Sequence, residues 1–509
     1  MYQKTILLIL EGFGVNNKKF GNTIINSNMK KYRSLLEQYP NTLLKTDLNK
    51  GNENTLSSPI YGFLNIARCK KTLTYISKLN EMIENGDFFS NLSLQNIFNK
   101  VIKNGGAIHL LGMVSDGELE TGIRHIKAFL EAAKRKDLKV FIHLISDGMD
   151  SSQRKILEYL EELEEILKIK NIGALASIQG RDYALNKTGK WENTKQAYEA
   201  IYYGIGKKAN NRYDIYSQIE EQYMQDKFDN EISPIVVYNN NEYIGKINEG
   251  DGVIFFSTIQ NRLLQLEEAF VNPYFEYFET DSNNIEVLTT TKSKVLEKDL
   301  SYIIPEETSI NLLKEIEKNN IDINIIYDKV REYEIENILT LQEKINMKKN
   351  LVNDFEYVEY ASNITKSISN ITKETIKQIY LEKDDKLNGE LIIVDYPQLD
   401  ILAHSGRVFE LEIALKKIDT DIFKIYEEAL KNNCKIIITS THGNAEEMFE
   451  EKTGEILTRN TKNMIPLMYI NPLENRKLKH GSIYNIGATI LDILNIYNKN
   501  DNKSESLLI

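Results

Sequence analysis

The sequence predicts an α/β protein built on doubly wound sheets, and three observations carry that prediction. Short apolar runs alternate with segments of helical spacing, as parallel strands joined by crossover helices require. The chain has 509 residues, more than one hydrophobic core serves, so two or three domains are expected. Internal repeats, low-complexity linkers and heptads are absent.

The elements follow in chain order. The opening MYQKTILLILEGFG has an apolar run closed by an acid and glycines. That run is too short for a membrane span and wrong for a signal peptide, so 6–10 is expected to be a buried first strand. Further strands are expected at 107–113, 140–145, 172–178, 253–256, 321–327, 391–394 and 435–439. Ile156, Leu160, Leu163 and Leu167 recur at helical spacing opposite a Glu-rich face, which predicts an amphipathic surface helix over 152–168, capped by serine. Polar turns are expected at 80–91 and 281–284, and 210–231 is a long polar and aromatic stretch. With eight prolines in the chain, domain boundaries are soft.

Composition excludes some classes of function. The formal charge is −11, with Lys and acids interspersed, so a nucleic-acid footprint is not expected and any phosphate site must be local. Cys69 and Cys434 lie far apart and form no CxxC pair, which fits a reducing cytoplasm and no structural zinc. No membrane partner is expected.

Ligands of open α/β sheets collect beyond the carboxyl ends of strands, so the residues there carry most information. After 391–394 comes DYPQLDILAHSG, with Asp400 and His404 on one side of a helical turn, a pair suited to a transition metal. After 435–439 comes STHGN, where a glycine turn is expected to expose His442; after the first strand comes Glu11. Singly, each has a plainer explanation: a helix-surface hydrogen bond, a turn cap, a strand end. Together they suggest a metal cleft of unspecified reaction. His109 and His143 lie in apolar strands and are expected to be satisfied core residues. His125 falls on a helix and His480 in a basic turn, and neither is assigned a role.

Longer motifs carry a family resemblance. LLILEGFG from Leu7, the GN of GNTI, YPNTLL from Tyr39, GFLNI from Gly62, KLNEMIENGDFF from Lys78, HLLGMVSDG from His109, SIQGRDYALNKTGKW from Ser177, GDGVIFF from Gly250, AHSG from Ala403 and THGNAEEM from Thr441 follow one another at matching intervals. In these the chain resembles the cofactor-independent phosphoglycerate mutases nearly from end to end. The resemblance implies an alkaline-phosphatase-like doubly wound domain made of 1–76 and 291–509, with a second α/β domain, 77–290, inserted. It also implies the glycolytic interconversion of 3- and 2-phosphoglycerate. In the family, two manganese or magnesium ions activate a serine that takes up and returns the phosphoryl group, the paired ions stabilising attacking and leaving oxygens.

Position by position, the chain departs from that pattern. The family nucleophile, in a GNSEVGH run, aligns with Pro59 in SSPIYGF. Ser58 is the remaining nucleophile candidate, displaced by roughly 3 Å and turned to the other side of an extended backbone. Of the metal ligands, Asp400, His404 and His442 remain, Glu11 replaces an aspartate, Thr441 another aspartate and Asn460 a histidine. Of the substrate-holding set, Asp150, Arg181 and Arg262 remain. Lys187 replaces an arginine and would meet phosphate as a point charge rather than a fork. Glu120, Met149 and Ile259 stand where a histidine and two arginines are usual, and a family lysine near 321–327 has no clear equivalent, although Lys329 is close. The resemblance therefore implies a catalytically degenerate member that acts by binding a phosphorylated small molecule or an unidentified protein. Manganese or magnesium would occupy a reduced site, with no full two-metal centre. Two alternatives stay open: an active mutase using Ser58, and a single-metal phosphohydrolase using Asp400, His404 and His442 with Arg181 or Arg262 on the anion.

Overall fold

The computed structural model describes the chain except residues 1–2, 47–57, 117–119, 150, 186–188, 260–261, 282–283, 294, 296–298, 306–310, 333–334, 336–346, 355–359, 383–386, 475 and 499–503. It forms two compact units, Met1–Leu73 with Thr308–Ile509, and Thr74–Glu307. The second crossing falls later than the resemblance implied. Strand Ser301–Tyr302 pairs in parallel with Glu286–Thr289 and so extends the inserted sheet beyond residue 290.

In the first unit, the described strands run Met347–Leu351, Ile321–Tyr327, Gly389–Tyr396, Lys4–Leu10, Lys435–Thr439, Ile465–Ile470, Asn41–Lys45, Gly481–Ser482 across one sheet. The first five are mutually parallel and Ile465–Ile470 is antiparallel to its neighbours. Alternation sends Ile6, Leu8 and Leu10 to the face covered by helices Lys30–Gln38, Ile364–Tyr380 and Val408–Lys431. Leu7 and Ile9 face the other side, under Pro59–Arg68, Asn311–Lys318 and Asn485–Ile493. Burial on both faces is why the central strands read as unbroken Ile/Leu runs.

The second unit has its own sheet, in the order Ser301–Tyr302, Glu286–Thr289, Gly252–Phe255, Ile108–Val114, Val140–Ser146, Ala174–Gly180, Ile235–Asn239, Lys207–Ala209, with Glu242–Tyr243 beside Ile235–Asn239. His109 and His143 lie in its core: His109 Nδ1 is 3.0 Å from His143 Nε2, and His143 Nδ1 is 3.0 Å from Ser177 Oγ. Buried His125 accepts from Gly122 N (2.9 Å) and donates to Asn80 Oδ1 (2.8 Å). Burial, with Arg124 beside it, pushes its imidazole down to about 3.

Several local expectations are corrected. The helix expected over 152–168 spans Ile156–Lys170 and is capped not by serine but by Asp229, whose carboxylate accepts from Lys155 N (2.7 Å) and Ile156 N (2.9 Å). Much of the expected turn at 80–91 is helical, Tyr75–Asn85 and Asp87–Ser90, because Ile76 and Leu79 bury one face. The polar stretch 210–231 contains the helix Arg212–Met224, which buries Ile215, Ile219 and Gln222 at helical spacing. Of the turn expected at 281–284, residues 282–283 lie outside the described residues. Among the described residues no helix is long and apolar enough to cross a membrane.

Candidate functional site

Three neighbouring parallel strands of the first unit end together. Leu10 pairs with Tyr396 and Ile9 with Thr439. Glu11, helix Gln398–His404 and the turn 440–444 therefore emerge at the carboxyl end of one sheet. Glycines bring them close. Gly12, at φ +77°, lies where a Cβ would come within 3.1 Å of the Asp400 backbone. Its carbonyl accepts from Asn444 N (3.1 Å) and Ala445 N (2.9 Å). Glu446 fastens the two motifs, accepting from Gly14 N (3.0 Å), Asn444 N (2.8 Å) and Asn463 Nδ2 (3.0 Å).

The four residues expected around a metal converge here. Asp400 Oδ1 lies 3.2 Å from His404 Nε2, 3.5 Å from His442 Nε2 and 3.4 Å from Asn444 Nδ2. Glu11 and Asp400 share a partner that the sequence did not single out. Arg331 donates through Nε to Glu11 Oε2 (2.6 Å) and through Nη2 to Asp400 Oδ2 (2.6 Å). Lys329, the basic residue expected nearby, instead pairs with Asp354 at 2.6 Å. His442 is also corrected: its ring is fully buried rather than exposed, with Nδ1 donating to the Gly443 carbonyl (3.2 Å).

Electrostatics follow from this crowding. Burial opposes the Asp400 carboxylate, but His404, His442 and Arg331 outweigh it and hold the carboxyl well below the usual range. Desolvation pulls His404 down, and Asp400 more than compensates, raising the imidazole to about 8. Its Nδ1 faces the Thr458 carbonyl while its Nε2 faces Asp400, so each ring nitrogen has an oxygen acceptor within reach. Burial pushes His442 down, against the pull of Asp400. Among the described residues no group of three or more His, Cys, Asp or Glu side chains is disposed to hold a metal ion. The residues present do not fit a two-ion centre, because a guanidinium already engages the carboxylates from both halves of it.

The second unit holds the other candidates. Arg181 donates through Nη1 to the buried Asp147 carboxylate, and Arg262 Nη1 lies 4.0 Å from Glu120 Oε2. Glu120 is buried, accepting from Thr121 N (2.9 Å), Thr258 N (2.8 Å) and Ser257 Oγ (2.8 Å). Both arginines thus meet carboxylates of their own unit. Met149 is 65% exposed, and Asp150 and Lys187 lie outside the described residues.

Comparison with known proteins gives the same resemblance. The family model for the N-terminal region of bisphosphoglycerate-independent phosphoglycerate mutases matches residues 79–294. The 2,3-bisphosphoglycerate-independent phosphoglycerate mutase of Clostridium botulinum is 27% identical, covering 99% of this chain and 99% of its own. That of Clostridium perfringens is 29% identical over 96% of both. A solved phosphoglycerate mutase of Leishmania mexicana, studied at low cobalt concentration, has the same fold, with TM-score 0.81 at 17% identity over 100% of this chain and 98% of that one. The chain is similar over nearly its whole length to the 2,3-bisphosphoglycerate-independent phosphoglycerate mutases.

Pro59, which the resemblance sets against the nucleophile of the mutases, has a structural task. Pro59 opens the helix Pro59–Arg68, where its fixed φ and missing N–H suit the first turn. Ser58 precedes it in extended backbone, buried, and its hydroxyl makes no capping bond; Ser57 lies outside the described residues. The helix packs close to the site, since a Cβ on Gly62 would lie 2.4 Å from Thr441 Cβ. Asn460 is buried at the edge, its Oδ1 3.4 Å from Asn444 Nδ2. No motif marked Arg331. A basic residue just beyond the strand Ile321–Tyr327 was the available signal, and Lys329 shared it.

Proposed function

We propose that this member of the mutase family has lost phosphoryl transfer and acts by binding, either to a phosphorylated small molecule or to a protein. The observation that carries the proposal is Pro59, a helix-opening residue with no hydroxyl at the position of the family's phosphoryl-accepting serine. Without that oxygen no covalent phosphoryl intermediate forms, and losing a nucleophile costs many orders of magnitude in rate. The Glu11–Arg331–Asp400 clamp and the Glu120–Arg262 pair support it, since each engages internally a group that metal or anion would need. Cys69 and Cys434, both buried and not disulfide-bonded, are consistent with a cytoplasmic location.

The test is interconversion of 3- and 2-phosphoglycerate by the full chain with manganese in excess. Turnover in the ordinary enzymatic range of about 1–1000 per second ends the proposal. The active alternative would then run through Ser58, whose uncommitted hydroxyl is the observation in its favour, and phosphorylation of Ser58 during turnover would identify it.

A further inference from the structure

Arg331 sits where a bound cation would be most useful. It reaches the site from the short turn Lys329–Arg331, which follows the strand Ile321–Tyr327, with its own N–H donating to the Asp328 carbonyl (2.9 Å). Its side chain is 11% exposed, against 0% for Glu11 and 4% for Asp400. Glu11 directly follows the strand Lys4–Leu10 and Asp400 lies on the helix that follows the adjacent strand Gly389–Tyr396, and the planar guanidinium gives one N–H to each at 2.6 Å. Two buried carboxylates without a cation between them repel and go unsolvated, so something positive must lie there. A guanidinium meets that need with directed hydrogen bonds and without a solution ligand.

Those bonds also bear on what else can enter. Asp400 Oδ2 and Glu11 Oε2, one oxygen from each carboxylate, point at N–H donors. The other Asp400 oxygen faces His404, His442 and Asn444. An incoming divalent ion would have to displace the guanidinium and would then share a buried space with it at short range.

We propose that Arg331 is a built-in cation that takes the place of a divalent ion between Glu11 and Asp400, so that this pocket closes without metal. The inference deepens the proposed loss of phosphoryl transfer and rests on it, but its readout is metal uptake rather than turnover.

The experiment follows free Mn²⁺ by electron paramagnetic resonance while the full-length protein is titrated, in wild type, Arg331→Ala and Arg331→Lys, alongside thermal melts with EDTA or Mn²⁺. Wild type and Arg331→Lys are expected to take up no stoichiometric Mn²⁺ and to melt at the same temperature in either condition. Arg331→Ala is expected to melt lower in EDTA, to bind Mn²⁺ at least about tenfold more tightly than wild type, and to regain thermal stability as the ion is added. One equivalent of Mn²⁺ bound by wild type overturns the inference, as does a folded Arg331→Ala that binds no better than wild type. If Arg331→Ala does not fold, the wild-type titration decides alone. Manganese uptake without turnover sinks this inference only, whereas mutase turnover without uptake sinks only the proposed function.

Discussion

Glu120 and Glu267 are buried acids whose surroundings give opposite expectations. Glu120 accepts two backbone N–H groups and the Ser257 hydroxyl and faces Arg262, so its charge is met on several sides. Glu120→Ala strands those donors, and a loss of about 2–4 kcal/mol is expected, read from urea unfolding midpoints. Glu267 lies buried on the helix Leu264–Val271, where burial raises its carboxyl from 4.5 to about 7 and the Ser293 hydroxyl offsets only part of that. Its folded pKa stands above its unfolded one. The associated stability is therefore complete below about pH 4.5 and is lost as pH rises through about 7, a change of about 3 kcal/mol. Glu267→Gln should flatten that slope, so its urea midpoint should exceed that of wild type at pH 8 by more than at pH 5. Equal differences at the two pH values would refute the assignment. Asp400 and His404 were readable as a pair from their spacing, since a helical turn alone brings residues four apart together. Arg331 was not, because its partners Glu11 and Asp400 lie 320 and 69 positions away in sequence.

At the scale of elements, helix starts show how local patterns compete with distant partners. The helix Ile156–Lys170 begins beneath Asp229, which accepts from two of its first N–H groups and from the Tyr223 hydroxyl. Asp229→Ala should cost about 1–3 kcal/mol, as removal of a buried charged cap does, and amide exchange should speed up first in this helix. Loss spread evenly over the unit would argue that Asp229 supports packing rather than the cap. Strands buried on both faces were legible from their Ile/Leu runs. The missed ones include Met347–Leu351, Asn41–Lys45 and Lys207–Ala209, whose solvated residues break the apolar pattern, and the fully buried Ile465–Ile470, whose Pro466 argues against a strand. The helix Arg212–Met224 was hidden for a related reason, as it buries only three residues along its length.

Across the whole molecule, the proposed loss of phosphoryl transfer rests on several positions rather than on one. Pro59→Ser should therefore leave mutase activity undetected, because Thr441, Asn460, Glu120 and Arg331 remain. Recovery of turnover by that single change in a coupled assay would mean that the rest of the site is competent. The sequence by itself determined the family resemblance, the α/β class, most of the buried central strands and the Asp400–His404 pair, since these depend on short-range periodicity and on motifs that keep their order along the chain. Only the tertiary structure decided that His442 is buried, that Arg331 rather than Lys329 reaches the acids, and that Arg181 and Arg262 meet Asp147 and Glu120. Charge pairing inside a folded core depends on which distant residues the sheet brings within a few ångströms of one another, and the order of residues along a chain does not state that distance.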